Sequence, residues 1–147
     1  MLRSISAILL LSIVAAPSPA GGKAGLKELQ GEWIATHYED RGGAVPVDAK
    51  KPHRLSIKGN RYTFVNVINV KNNEIKTSTG SFTTDPAKTP KHIDLKSDKG
   101  GDGAVGIYEL KGNELTLCIV PPESDRPTEF KPDRAVAMLF KFKKGKK

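Results

Sequence analysis

The sequence predicts an all-β chain: an eight-stranded antiparallel up-and-down barrel preceded by a short helical turn. Three observations carry that expectation. Short segments rich in Val, Ile, Thr, Tyr and Phe are separated by clusters of Gly, Asn, Asp and Pro, the punctuation of strands and turns. No long stretch keeps a helical apolar period. Two tight connections share one form: Leu55-Ser56-Ile57-Lys58-Gly59-Asn60-Arg61-Tyr62-Thr63-Phe64 is echoed by Tyr108-Glu109-Leu110-Lys111-Gly112-Asn113-Glu114-Leu115-Thr116-Leu117. In each, apolar residues alternate on both sides of a Gly-Asn pair able to take positive φ, which is a hairpin signature.

The chain opens with a segment of a different kind. Arg3 gives a positive start, Ile5 to Ala16 is apolar, and Pro17-Ser18-Pro19-Ala20 ends in small residues. That is the three-part pattern of a cleavable secretory signal. The expected cut follows Ala20, with a cut after Ala16 as the alternative. The apolar run is shorter than the roughly 20 residues that a membrane-spanning helix needs, and no cysteine follows the cut to carry a lipid anchor. The protein is therefore expected to be exported, to a periplasm or to the outside of the cell, with no membrane span after cleavage. Of 147 residues, 127 remain after the cut, the size of one domain. Residues 1–20 read as the signal peptide, 21–25 as a flexible leader, 26–143 as the barrel domain and 144–147 as a basic tail.

Within the domain, Leu26 to Gln30 forms one helical turn, too short to stand alone. Eight strands follow: Gly31–Glu39, Arg54–Lys58, Arg61–Val70, Glu74–Thr84, His92–Lys96, Val105–Lys111, Glu114–Val120 and Val136–Lys143. Asn72-Asn73 makes a third tight turn. Asp85-Pro86 and Thr89-Pro90 supply turn chemistry between the fourth and fifth strands. Sequential antiparallel strands without a crossover helix either close into a barrel or pack as two sheets. Closure is preferred because it removes exposed edges. An eight-stranded barrel has an interior that side chains fill or that holds one small ligand.

Composition narrows the rest. Cys118 is the only cysteine, so the fold is no disulfide scaffold; it is expected as a buried small hydrophobe in the run Leu115 to Val120. The net charge is +8, and removal of Arg3 with the signal lowers it to +7. Much of the excess lies in Lys141, Lys143, Lys144, Lys146 and Lys147. A basic surface attracts polyanions, but an exported protein rarely meets nucleic acid, so an acidic polymer or an envelope protein is the alternative partner to a small-molecule ligand. A monomer is expected.

At Gly31-Glu32-Trp33, after the helical turn, the sequence resembles the opening of the lipocalin and calycin barrels. That resemblance implies a Trp plugging the closed end and stacking on an Arg from late in the chain, a cation–π contact of roughly 0.5–2 kcal/mol. Several stretches are similar to a narrower group, a lipocalin-like domain family of unknown function that is abundant in planctomycete bacteria and usually exported. They are Leu29 to Trp33, Phe82 to Leu95, Gly106 to Cys118 and Asp125 to Phe130, within a match from about Leu26 to Phe142. The tail departs from it, ending in a Lys cluster where an apolar strand closed by a basic residue is expected. The resemblance implies fold and export and brings no activity.

Candidate site residues follow from this frame. Trp33, Tyr62, Phe64, Phe82, Tyr108, Leu117 and Phe140 fall mostly on alternating positions. They either line a ligand pocket or, with 9 aromatics in the chain, fill the barrel solid. Thr77, Thr79, Ser81 and Thr83 alternate on one strand and face either a partly polar cavity or water. Asp94, Arg126 and Glu129 form a candidate polar cluster. It either faces a ligand at the barrel mouth or serves closure, with Arg126 capping Trp33 and bridging a carboxylate to hold the 121–135 loop. Of the three histidines, His37, His53 and His92, His92 shares a strand face with Asp94, which could begin a metal site. No HxH or HExxH spacing is present, so no metal is expected. Serine-nucleophile, P-loop and dinucleotide signatures are also absent. The expected function is therefore binding, without cofactor or catalysis.

Overall fold

The computed structural model describes residues 26–69, 71–101, 103–131 and 136–146. The signal segment 1–20, the leader 21–25, Val70 at the expected end of the third strand and Lys147 of the tail lie outside the described residues. Residues 26–29 form one helical turn. Nine strands follow among the described residues: β1 (Gly31–Asp40), β2 (Gly43–Val45), β3 (Arg54–Lys58), β4 (Arg61–Asn69), β5 (Glu74–Asp85), β6 (Lys91–Ser97), β7 (Ala104–Lys111), β8 (Glu114–Val120) and β9 (Met138–Lys144). Every pairing is antiparallel, and β1 pairs with β9 as well as with β3, so eight strands close into a barrel.

The Gly-Asn hairpins form as the sequence requires. Lys58 pairs with Arg61 and Lys111 with Glu114, leaving two-residue loops. Gly59 (φ 62°) and Gly112 (φ 58°) take positive φ while the asparagines do not, the φ pattern of a type II′ turn. The ninth strand, β2, escapes the sequence expectation. It holds only three residues and hangs on β1 through a turn at Arg41-Gly42, both at positive φ. The eighth expected strand, Val136–Lys143, is shifted: β9 starts at Met138, while Val136 is exposed.

The barrel has two unlike ends. At one end lie the helical turn, the two Gly-Asn hairpins and the end of β9. This end is packed solid by Leu29, Trp33, Tyr108, Leu115 and Phe142, each at most 2% exposed. Trp33 Nε1 donates to Leu29 O at 2.8 Å, so the indole satisfies the last carbonyls of the helical turn that it buries. Gln30 fastens the same turn to the β3–β4 loop: its Oε1 accepts from Gly59 N at 2.7 Å and its Nε2 donates to Gly59 O at 2.9 Å. The cation over the Trp33 face is Lys144, at 5.6 Å, and not Arg126.

The β1–β9 register shifts between Ala35 and His37. This bulge re-phases β1, so that Tyr38 turns inward where strict alternation from Trp33 and Ala35 would send it out. Its ring stacks on Phe140 at 4.6 Å. Cys118 is buried, as expected, but on the outer side of the wall. It packs with Ile107 and Leu139 under Phe130, in a second apolar cluster outside the barrel.

Candidate functional site

The open half of the barrel is hollow. A cavity of about 410 Å³ lies there, lined by residues of β3 to β9 together with Gly101, Gly103 and Pro121 to Glu123. Its origin lies in unequal residue size. Phe64 on β4 and Phe140 on β9 point inward with Leu55 beside them, whereas Ser78, the cross-strand neighbour of Phe64, and Ala104 on β7 give the lining only short side chains. Tyr62 and Phe82, both buried, border the cavity toward the closed half. Tyr62 pairs across strands with Gly80. A Cβ at Gly80 would lie 2.8 Å from the Tyr62 ring and hydroxyl and 2.0 Å from Lys96 O, so only glycine lets the ring take this place.

The lining is mainly apolar, with a few polar side chains. Strict alternation from Tyr62 and Phe64 brings Asn66 inward on β4, and on β5 it brings Lys76 and Ser78 inward. Asn66 and Lys76 are direct cross-strand partners, as are Phe64 and Ser78. Glu123, from the segment after β8, lines the cavity as well.

Beside β4 sits His53, the one buried polar side chain among the described residues, 5% exposed. It stands immediately before the first residue of β3, between β1 and β4. Its carbonyl accepts from Ala35 N on β1 at 2.9 Å, and its Nδ1 accepts from Val67 N on β4 at 3.1 Å. The ring is enclosed by Tyr38 (4.9 Å), Phe140 (5.8 Å) and Phe64 (6.4 Å). Burial holds the imidazole below its ordinary pKa of 6.5, against an opposing contribution from Asn66. Burial, reinforced by Asp40, pushes the Tyr38 phenol up to about 12. Both side chains are thus neutral near pH 7.

A closed meander, a Trp-plugged end and a cavity at the other end agree with the family comparison, in which the lipocalin-like domain model matches residues 29–117. The chain belongs to the lipocalin-like domain family. No curated protein and no solved structure matches it.

In this lipocalin-like barrel the aromatic and apolar candidates divide. Tyr62, Phe64, Phe82, Leu117 and Phe140 line the cavity. Trp33 and Tyr108 do not; they belong to the packed closed half. The strand of alternating Thr77, Thr79, Ser81 and Thr83 turns those residues outward, opposite to Ser78 and Phe82.

The polar cluster lies neither at the mouth nor at Trp33. Arg126 reaches the outer face of the β6–β7 wall, where Nη1 donates to Ile93 O (3.1 Å) and Gly106 O (2.8 Å) and Nη2 meets Asp94 Oδ1 at 2.6 Å. Glu129 stands apart, 3.7 Å from Lys131. His92, in phase with outward Asp94, also faces away from the cavity, and His37 pairs with Glu39 at 2.6 Å. Among the described residues, no three His, Cys, Asp or Glu side chains come together.

Asn66, Ser78, Leu55, Ala104 and His53 are site residues that the sequence reading passes over. Alternation from Tyr62 was signal enough for Asn66. For His53 there is none, because its role depends on where β3 begins between β1 and β4.

Proposed function

We propose that this protein is exported and that its mature form, beginning at Gly21, binds one small, mainly apolar molecule in the open half of its barrel, as a binding protein and not an enzyme. The observation that carries the reading is the mainly apolar cavity of about 410 Å³ with a few polar side chains in its lining, Asn66, Lys76, Ser78 and Glu123. Its size lies in the range of roughly 300–1,000 Å³ typical of small-molecule sites, and its make-up, apolar walls with a few placed polar groups, is that of such sites. The closed half supports the same reading, since a packed floor under an open chamber gives a ligand one route in.

Mass spectrometry of the protein recovered from the exporting cell tests both halves of the proposal. The intact mass is expected to correspond to residues 21–147, and solvent extraction is expected to release a small molecule in near-stoichiometric amount. A chain that retains residues 1–20 would contradict export. An extract empty of small molecules, from protein that also takes up none when offered a metabolite extract, would contradict the binding role.

A further inference from the structure

A second concavity lies apart from the chamber and shares no lining residue with it. It is a cleft of about 440 Å³ between the loop joining β5 to β6 and the last residues of β7. Asp85 braces that loop, its carboxylate accepting from Ala87 N at 3.2 Å. Lys88 and Lys91 line the cleft on the loop side, Glu109 and Lys111 on the β7 side.

The charges in the cleft are unbalanced. Lys111 and Glu109 pair at 3.3 Å and offset each other. Neither Lys88 nor Lys91 has a carboxylate at ion-pair distance among the described residues. Lys91 is half-buried, its ammonium 5.9 Å from the centroid of the Tyr108 ring. A cation held partly out of water with no carboxylate beside it favours an anion from outside. Pro86, Pro90 and Leu110, also half-buried, add aliphatic surface to the same cleft.

We propose that this cleft binds an acidic polysaccharide. Lys88 and Lys91 meet its carboxylates, and Pro86, Pro90 and Leu110 meet the C–H faces of its sugar rings. Other partners fit the cleft less well. A peptide finds no free strand edge, because β7 is bonded to both β6 and β8. A nucleic acid finds no exposed ring on which to stack a base, since Tyr108 is 1% exposed and Phe130 packs on Ile107, Cys118 and Leu139. A lipid surface finds no large apolar side chain to take up: the exposed ones among the described residues, Val45, Ile68, Ile75 and Val136, line no part of the cleft. The site does not rest on the chamber's role, and both can be filled together.

The test is binding of polygalacturonate, and of the same chain with its carboxylates methyl-esterified, to the protein at low salt. The unaltered protein is expected to bind the acidic chain, to release it as salt rises, and to ignore the ester. Lys88→Gln combined with Lys91→Gln is expected to weaken binding about fivefold to tenfold, as loss of two exposed ion pairs does. Lys143→Gln combined with Lys146→Gln removes the same charge from the end of β9 and is expected to leave binding nearly unchanged. Both pairs are expected to melt close to the unaltered protein.

Equal losses in the two pairs would overturn the cleft as the site, leaving overall charge as the attraction. Equal affinity for polyglutamate or for the esterified chain would overturn recognition of an acidic sugar, as would no binding by the unaltered protein. None of these results touches the chamber, whose own test is uptake of a small apolar molecule.

Discussion

His53 shows how one residue takes on a structural duty that its neighbours in sequence do not announce. Its carbonyl and ring both accept from backbone N–H groups, on β1 and β4, just before β3 begins. A second ring proton would set N–H against the Val67 N–H and place a charge among Tyr38, Phe64 and Phe140. The folded state therefore lowers the pKa of this imidazole, through burial first. The sign follows. The stability it contributes is fully present above the unfolded value near 6.5 and is lost as pH falls toward the lower folded value, because the unfolded chain binds the proton first. The loss is at most about 1.4 kcal/mol per pH unit. Tyr38, the titratable group whose ring meets His53, stays neutral throughout. Thermal melting as pH falls below 6.5 is expected to show a steeper drop in the unaltered protein than in His53→Phe; equal slopes would show that His53 does not carry the effect. At this scale the sequence was partly legible. Size and alternation found Phe64 and Phe140, but the proton state of a histidine depends on contacts that only the closed barrel creates.

Among the elements, the hairpins were the most legible because their turns are decided locally. Gly59-Asn60 and Gly112-Asn113 need nothing beyond their own φ preferences. What depended on distant partners was harder to read. The β1 bulge answers to pairing with β9, and β2 exists only because β1 outruns β3.

The 121–131 segment is the clearest case. Arg126 and Asp94 are rightly associated in the sequence, yet their contact lies on the outer wall, where the guanidinium caps two carbonyls of β6 and β7. As a part-exposed ion pair it adds little to global stability. Its effect is local: it holds Phe130 over Ile107, Cys118 and Leu139. Arg126→Ala is expected to shift the melting temperature only slightly while exposing residues 121–131 to limited proteolysis and Cys118 to thiol-labelling reagents. Unchanged proteolysis and labelling would contradict the strapping role.

At the scale of the whole molecule, the sequence left two outcomes open for the barrel, filled or hollow, and the structure has one in each half. The closed half is filled because Trp33, Tyr108 and Phe142 converge there beneath the helical turn. The open half is hollow where Ser78 and Ala104 leave short side chains in the lining beside Phe64 and Phe140. No single window of sequence holds that contrast, since it combines residues of β4, β5, β7 and β9. The lipocalin-like family sets the architecture, and the chamber is this chain's own choice of side chains.

The most direct test of that chamber is a fluorescence titration with N-phenyl-naphthylamine on the unaltered protein and on Ala104→Phe, which places a ring in the hollow. The unaltered protein is expected to bind one equivalent of the probe, and Ala104→Phe to bind it at least about tenfold more weakly while melting at a similar temperature. Equal binding by both proteins, or none by the unaltered one, would contradict a ligand chamber in the open half of the barrel.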